Sequence, residues 1–242
     1  MKEVTFEDLG LIDYKTAWDY QENLSQQIIS QKLEARSSNS NVKSPTSNYL
    51  IICEHPPVIT LGKSGSKQHL LMSESWLRQR GIDFFHVNRG GDITFHGPHQ
   101  IVGYPILNLD MFFTDIHKYL RTLEEIIIGT LDEYGIKGGR IPGATGVWID
   151  AGNPSGARKI CAMGIRCSHW VTMHGFALNV NTDLSYFDYI VPCGFNDKKV
   201  TSMEKELGTK VALNDVKKGL KKHFEQLFGV QLVTKTPESA LK

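Results

Sequence analysis

The chain has 242 residues, 40% hydrophobic and 22% charged, an ordinary balance for a globular protein able to bury a sizeable core. Its 27 Lys and Arg against 26 Asp and Glu leave a formal charge of +1, so nothing global demands nucleic acid or a membrane surface as partner. The opening residues, with Glu3, Glu7 and Asp8, do not read as a signal peptide, and no stretch approaches the ~18–20 apolar residues of a membrane helix. The cysteines (Cys53, Cys161, Cys167, Cys193) are too scattered for a disulfide framework, and no Cys-x-x-Cys suggests a metal site. A cytoplasmic chain with free thiols and no metal is the expectation.

After Asp13, a natural helix cap, Ala17, Gln21, Leu24 and Ile28 share one helical stripe flanked by Trp18 and Ile29. The stripe dissolves into a Ser- and Asn-rich run, so a flexible polar loop is expected over about residues 36–48. Tyr49–Glu54 reads as an apolar strand that stops at His55-Pro56-Pro57, and Val58–Leu61 reads as its resumption before Gly62. From Asp115, the stripe Ile116, Tyr119, Leu120, Leu123, Ile126, Ile127, Leu131 predicts an amphipathic helix, with Gly135 suited to its C-terminus. Three strands are predicted over 147–150, 159–166 and 170–181, the first two joined by a Gly-Asn-Pro-Ser-Gly turn at 152–156. A last helix from about Asn214 presents Val216, Leu220, Phe224 and Leu227, ends at Gly229 and leads into a strand over 230–234. Helices and strands alternate without regular strand–helix units, which favours an α/β (α+β) fold: a mixed sheet flanked by helices, as a single domain over 1–242.

Three segments carry candidate chemistry. In Arg89-Gly90-Gly91-Asp92-Ile93-Thr94-Phe95-His96-Gly97-Pro98-His99-Gln100, paired glycines let the backbone approach a ligand. Arg89 and His96 bracket the extended stretch between them; a plain glycine-rich hairpin fits the same residues. In Arg158-Lys159-Ile160-Cys161-Ala162-Met163-Gly164-Ile165-Arg166, strand periodicity puts Lys159 on the face of Cys161, Met163 and Ile165. A lysine among apolar neighbours either loses its proton readily or snorkels to water, and spacing alone leaves both open. In Ile190-Val191-Pro192-Cys193-Gly194, Pro192 and Gly194 form a sharp corner that can present a thiol, near the preceding Gly175-Phe176-Ala177 segment with its small residues Gly175 and Ala177. A buried packing cysteine is the alternative.

In order and spacing these segments resemble the lipoyl (octanoyl) transferases, the lipoate-protein ligase B family of the biotin/lipoate protein-ligase superfamily. The family pattern Arg-Gly-Gly-x-x-Thr-aromatic-His-Gly-Pro-Gly-Gln is met by residues 89–100, and Lys-Ile-x-x-x-Gly-[Ile/Leu]-Arg by 159–166. His174-Gly175-Phe176-Ala177-Leu178-Asn179, Pro192-Cys193-Gly194 and Val200-Thr201-Ser202 follow, and Gly143-Ala144-Thr145-Gly146-Val147-Trp148 falls where the family has a similar stretch. One position departs: His99 stands where the family has glycine.

The resemblance implies a biotin/lipoate-ligase-like catalytic domain with no cofactor. It implies transfer of octanoyl from octanoyl-acyl carrier protein to a lysine of lipoyl domains of 2-oxoacid dehydrogenases or the glycine-cleavage H protein. Cys193 would carry the acyl group as a thioester, with Lys159 as proton-transfer partner. Arg89 to His96, Ala162 to Gly164 and Gly175 to Ala177 would line the acyl tunnel. Backbone N–H groups near Cys193 or Gly164, or the His96 ring, would serve as oxyanion donors. Lys137, Arg140, Arg158, Lys198 and Lys199 lie near these motifs in sequence and are candidates for a face that docks an acidic carrier protein; for any one of them, a solvated surface cation is the plainer alternative. Rival readings are an ATP-dependent lipoate ligase on the same fold, a Cys–His hydrolase using Cys193 with His174 or His96, and a binding module without turnover.

Overall fold

The computed structural model describes residues 2–37, 47–153, 155–191 and 199–235. Most of the polar loop expected over 36–48, Pro154, and the corner bearing Pro192, Cys193 and Gly194 lie outside the described residues.

The chain opens on a strand, β1 (Lys2–Leu11), that pattern reading misses because Glu3, Glu7 and Asp8 interrupt its apolar residues. Val4 and Phe6 are nonetheless buried, and Glu7 is accommodated because the Tyr20 hydroxyl donates to its carboxylate at 2.8 Å. Helix α1 (Tyr14–Ser37) begins where Asp13 accepts from the Thr16 N–H at 2.9 Å, and it buries Ala17, Gln21, Leu24 and Ile28 as the stripe requires. It outruns the stripe into the polar sequence, where Lys32 is held by Asp110 (2.9 Å) and the His169 carbonyl (2.5 Å).

The main sheet runs β12-β1-β2-β6-β10-β9-β8-β7, with β11 added beside β9. Its members are β2 (Tyr49–Glu54), β6 (Gln100–Ile106), β7 (Gly138–Ile141), β8 (Ala144–Ile149), β9 (Arg158–Ser168), β10 (Val171–Asn179), β11 (Lys199–Val200) and β12 (Val230–Thr234). β1 pairs in parallel with both β2 and β12, and β11 pairs in parallel with β9; the remaining pairs are antiparallel. This is the mixed sheet expected.

The second apolar run is not a resumption of β2. β3 (Val58–Leu61) leaves the main sheet and, with β4 (Asp83–His86) and β5 (Ile93–His96), forms a small sheet in the order β4-β3-β5. The divergence is fixed at His55, whose Nδ1 lies 2.7 Å from the Ile12 carbonyl and whose Nε2 lies 2.8 Å from the Tyr104 hydroxyl.

Helices α3 (Ile116–Asp132) and α5 (Leu213–Phe228) pack their apolar stripes on one face of the main sheet, while α1 covers part of the other. Asp115 caps α3 by accepting from Lys118 N–H at 2.9 Å, and Gly135, at φ +73°, turns the chain so that Ile136 N–H reaches the Leu131 carbonyl (3.1 Å). On α5 the predicted Leu227 is instead exposed, and Phe228 enters the core against Phe224 with ring centres 4.7 Å apart. Two short helices, α2 (Glu74–Gln79) and α4 (Met203–Leu207), are too brief to leave a periodic signal. Among the described residues no helix is long and apolar enough to cross a membrane.

Candidate active site

A cavity of about 580 Å³ opens where β5 and the Arg89–Asp92 segment meet β6, β9 and β10. Its size falls in the ~300–1,000 Å³ range of small-molecule sites.

Lys159 reaches this cavity through a β-bulge. Val147 of β8 pairs with Cys161 but Trp148 pairs with Lys159, so Ile160 is an extra residue on β9. Ile160 and Cys161 both enter the core beneath α3 and α5, and Lys159 emerges on the cavity with Ala162. The single face expected for Lys159, Cys161, Met163 and Ile165 is therefore broken at Cys161, which belongs with the core and whose thiol pKa burial raises, while Met163 and Ile165 pack partly against the core and also line the cavity. Lys159 is 8% exposed, its Nζ 4.6 Å from the centre of the Trp148 ring. It does not snorkel to open water. Glu124, fully buried on α3, accepts from the Gly146 N–H at 3.1 Å and from Arg140 at 2.8 Å, which holds the start of β8 beside Lys159. Gly146 itself, at φ +117°, leaves no room for a side chain, since a Cβ there would meet the Cys161 carbonyl at 2.5 Å.

Arg89 acts as a bracket between the two sheets. Its guanidinium donates to the Thr60 carbonyl and hydroxyl (2.8 and 2.9 Å) and to the Gly90 carbonyl (3.1 Å). Gly90 N–H in turn donates to Ile165 O at 2.8 Å, bringing Gly90 and Gly91 against β9 at Gly164. A Cβ on Gly164 would lie 2.6 Å from the Gly90 carbonyl, so only glycine permits this approach. Asp92, Ile93 and Thr94 continue along the cavity wall, with Asp92 2.6 Å from His69 Nδ1, and Gly175, Phe176 and Ala177 border it from β10. Phe95 does not line the cavity. It points to the far side of β5, stacking on Tyr186 at 4.6 Å, because strand alternation sends it opposite to Thr94 and His96.

His96 Nδ1 lies 2.8 Å from Gln100 Oε1. Gln100 Nε2 donates to the Phe95 carbonyl (3.1 Å) and to Asn179 Oδ1 (2.8 Å), Asn179 Nδ2 donates to the Thr201 carbonyl (3.0 Å), and Thr201 N–H donates to the Lys159 carbonyl (2.9 Å). Burial holds the His96 and His174 imidazoles at pKa about 3 and His55 at about 4, so all are neutral near pH 7. His174 is held on Asn88 at 2.9 Å, and Asn88 in turn on Glu22 at 3.0 Å. Tyr14, Gln100, Tyr104, Asn179 and Thr145 also line the cavity, although none of them was among the residues expected to do so. Gln100 and Asn179 sit inside the quoted motifs, but only their contacts reveal a role.

His99 takes φ +64°, the left-handed region that suits glycine, while its N–H donates to the Glu54 carboxylate at 2.8 Å. Its side chain is 59% exposed, so it points to solvent and does not narrow the cavity. Of the cations named for a docking face, Lys137 pairs with Asp132, Arg140 with Glu124 and Glu125, and Arg158 with Glu206 and Asp150. Lys199 is exposed, and Lys198 lies outside the described residues.

Cys193 also lies outside the described residues, but both flanks of its segment adjoin the cavity. Val191 N–H donates to the His69 carbonyl at 2.8 Å, and His69 lines the cavity. On the other side Val200 lines the cavity and pairs with Lys159 in the β11–β9 ladder.

Comparison with known proteins identifies the family and the fold. The model of the lipoyl protein ligase A/B catalytic domain matches residues 13–225. The octanoyltransferase of Christiangramia forsetii is 58% identical, covering 96% of this chain and 98% of that protein. The octanoyltransferase of Parabacteroides distasonis is 47% identical, covering 94% and 100%. Among solved structures, a bipartite lipoate protein ligase from Thermoplasma acidophilum superposes with a TM-score of 0.72 at 15% identity, covering 100% of this chain and 89% of that one. A lipoate-protein ligase A bound with ATP reaches 0.75 at 14% identity, covering 99% and 91%. These distant structures establish the fold, and the close relatives establish the lineage: the chain belongs to the lipoyl protein ligase A/B catalytic-domain family, among its octanoyltransferases.

Proposed function

We propose that this acyltransferase moves an octanoyl group from octanoyl-acyl carrier protein to a lysine of lipoyl domains through a thioester on Cys193, with Lys159 as the proton-transfer partner. The observation that carries this reading is the anchoring of both flanks of the Cys193 segment beside the Lys159 cavity.

In the first half-reaction the Cys193 thiolate attacks the octanoyl carbonyl and the pantetheine sulfur leaves. Exchange of one thioester for another needs no ATP. The Lys159 ammonium favours the attacking thiolate and gives its proton to the departing sulfur. In the second half-reaction the target amine attacks the Cys193 thioester, neutral Lys159 takes the surplus proton, and Cys193 departs as thiolate. The apolar part of the cavity, including Ala162, Phe176 and Ala177, suits a slender acyl chain. Each buried methylene contributes roughly 0.8 kcal/mol before ordering costs.

Intact-mass spectrometry after incubation with octanoyl-carrier protein tests the scheme. A hydroxylamine-labile gain of one octanoyl group is expected, and Cys193→Ser should lose both adduct and turnover. Turnover that survives the substitution and requires ATP would show a ligase instead.

A further inference from the structure

The hydrogen-bond chain behind the cavity wall fixes where the His96 proton sits. Two backbone carbonyls, Phe95 O and Thr201 O, accept only, so the amide nitrogens of Gln100 and Asn179 must face them. Asn179 Oδ1 then accepts the second hydrogen of Gln100 Nε2. That leaves Gln100 Oε1, an acceptor, against His96 Nδ1 at 2.8 Å, so Nδ1 carries the hydrogen. Flipping either amide would set oxygen against a backbone carbonyl. In a neutral imidazole protonated at Nδ1, Nε2 holds a lone pair. No described residue bonds Nε2, and the ring lines the cavity.

The surroundings keep the ring neutral. Tyr14 of α1 stacks on it at 5.8 Å, His55 meets it at 6.0 Å from the start of the small sheet, and Arg89 and His174 are the other titratable groups facing it. Burial, His55 and Arg89 all oppose a second proton.

We propose that His96 offers the cavity a fixed hydrogen-bond acceptor at Nε2, that Gln100 and Asn179 are the positioning residues that lock its tautomer, and that the acceptor receives an N–H of the substrate. This rests on the octanoyl-transfer reading. It removes His96 from the oxyanion donors, because a ring protonated only at Nδ1 has no hydrogen to give from Nε2. The same chain continues through Thr201 to the Lys159 carbonyl, so one network sets the acceptor and the strand that bears the amine. Two substrate groups supply such an N–H: an amide of the pantetheine arm, or the amine of the target lysine.

Long-range ¹H–¹⁵N NMR of the unsubstituted protein tests the tautomer without any turnover. His96 should be protonated at Nδ1 alone, unchanged between about pH 5.5 and 8. A ring protonated at Nε2, or one that titrates in that range, overturns the proposal. In Gln100→Leu the spectrum should gain the Nε2–H form, and one half-reaction should slow about ten- to a hundredfold. Slowed acylation by octanoyl-carrier protein assigns the N–H to the pantetheine arm, and slowed delivery to a lipoyl domain assigns it to the target amine. If neither slows, the substrate contact is refuted. If the unsubstituted enzyme forms no acyl adduct, the transfer reading fails while the tautomer result stands on its own.

Discussion

The two faces of β9 make opposite use of neighbouring residues. Toward α3 and α5, Ile160 and Cys161 join an apolar cluster with Leu123, Ile127 and Phe224. Toward the small sheet, Lys159 and Ala162 border a cavity whose far wall is built from His96, Gln100, Tyr104 and His174. One extra residue in the ladder separates the two, since without the bulge Lys159 would share the side of Cys161. Near neutral pH the core face is expected to set stability and the cavity face to set activity.

Acid provides the broadest test, because the neutral buried imidazoles all lie on the cavity side. His55, His96 and His174 have folded pKa values of about 4, 3 and 3, below the ordinary 6.5 of the unfolded chain. The unfolded state therefore binds more protons below pH 6.5, and stability is lost as pH falls toward 4. Between pH 7.5 and 5 the loss is roughly 2 kcal/mol for each imidazole, a large share of the ~5–15 kcal/mol of a typical domain. Urea denaturation at the two pH values measures it, and a flat profile would mean that these rings are not buried neutral.

Lys159→Ala should separate the faces most cleanly. A loss of about 10²–10⁴-fold in octanoyl transfer is expected with little change in the denaturation midpoint. A variant that unfolds but retains specific activity would reverse the assignment.

The complementary change is Leu123→Ala in the core, where the side chain is fully buried. It should cost about 2–5 kcal/mol in chemical denaturation while leaving kcat near that of the parent. Activity falling in step with Lys159→Ala would show that the two faces are coupled through the bulge.

The smallest effect is expected at the rim. His99→Gly removes a side chain from a left-handed backbone and should stabilise by about 1 kcal/mol or less, the relief being partly offset by the added freedom of the unfolded chain. Transfer rates should not change, because His99 faces solvent.

Elements with strong periodicity were legible from the sequence for a simple reason. The stripes of α1 and α3 each meet one continuous apolar surface, so local spacing already encodes the contact. β1 was not legible, because the acceptability of buried Glu7 depends on Tyr20 thirteen residues later. The burial of Phe228 beside exposed Leu227 likewise goes with its packing on Tyr119 of α3, 6.2 Å between ring centres, a contact that spacing on one helix does not specify.

The sequence by itself determined the family and nominated the reacting pair, because Arg89 to Gln100, Lys159 to Arg166 and the Cys193 corner keep their order and spacing in any fold they adopt. It also supplied every residue of the chain that runs from His96 to Lys159. Only the tertiary structure decided which of these face the cavity. Strand alternation turned Phe95 away, the bulge turned Lys159 in, and two backbone carbonyls, one beside His96 at Phe95 and one far off at Thr201, set the proton of His96. Facing direction and proton position are properties of partners, and the partners meet only when the chain is folded.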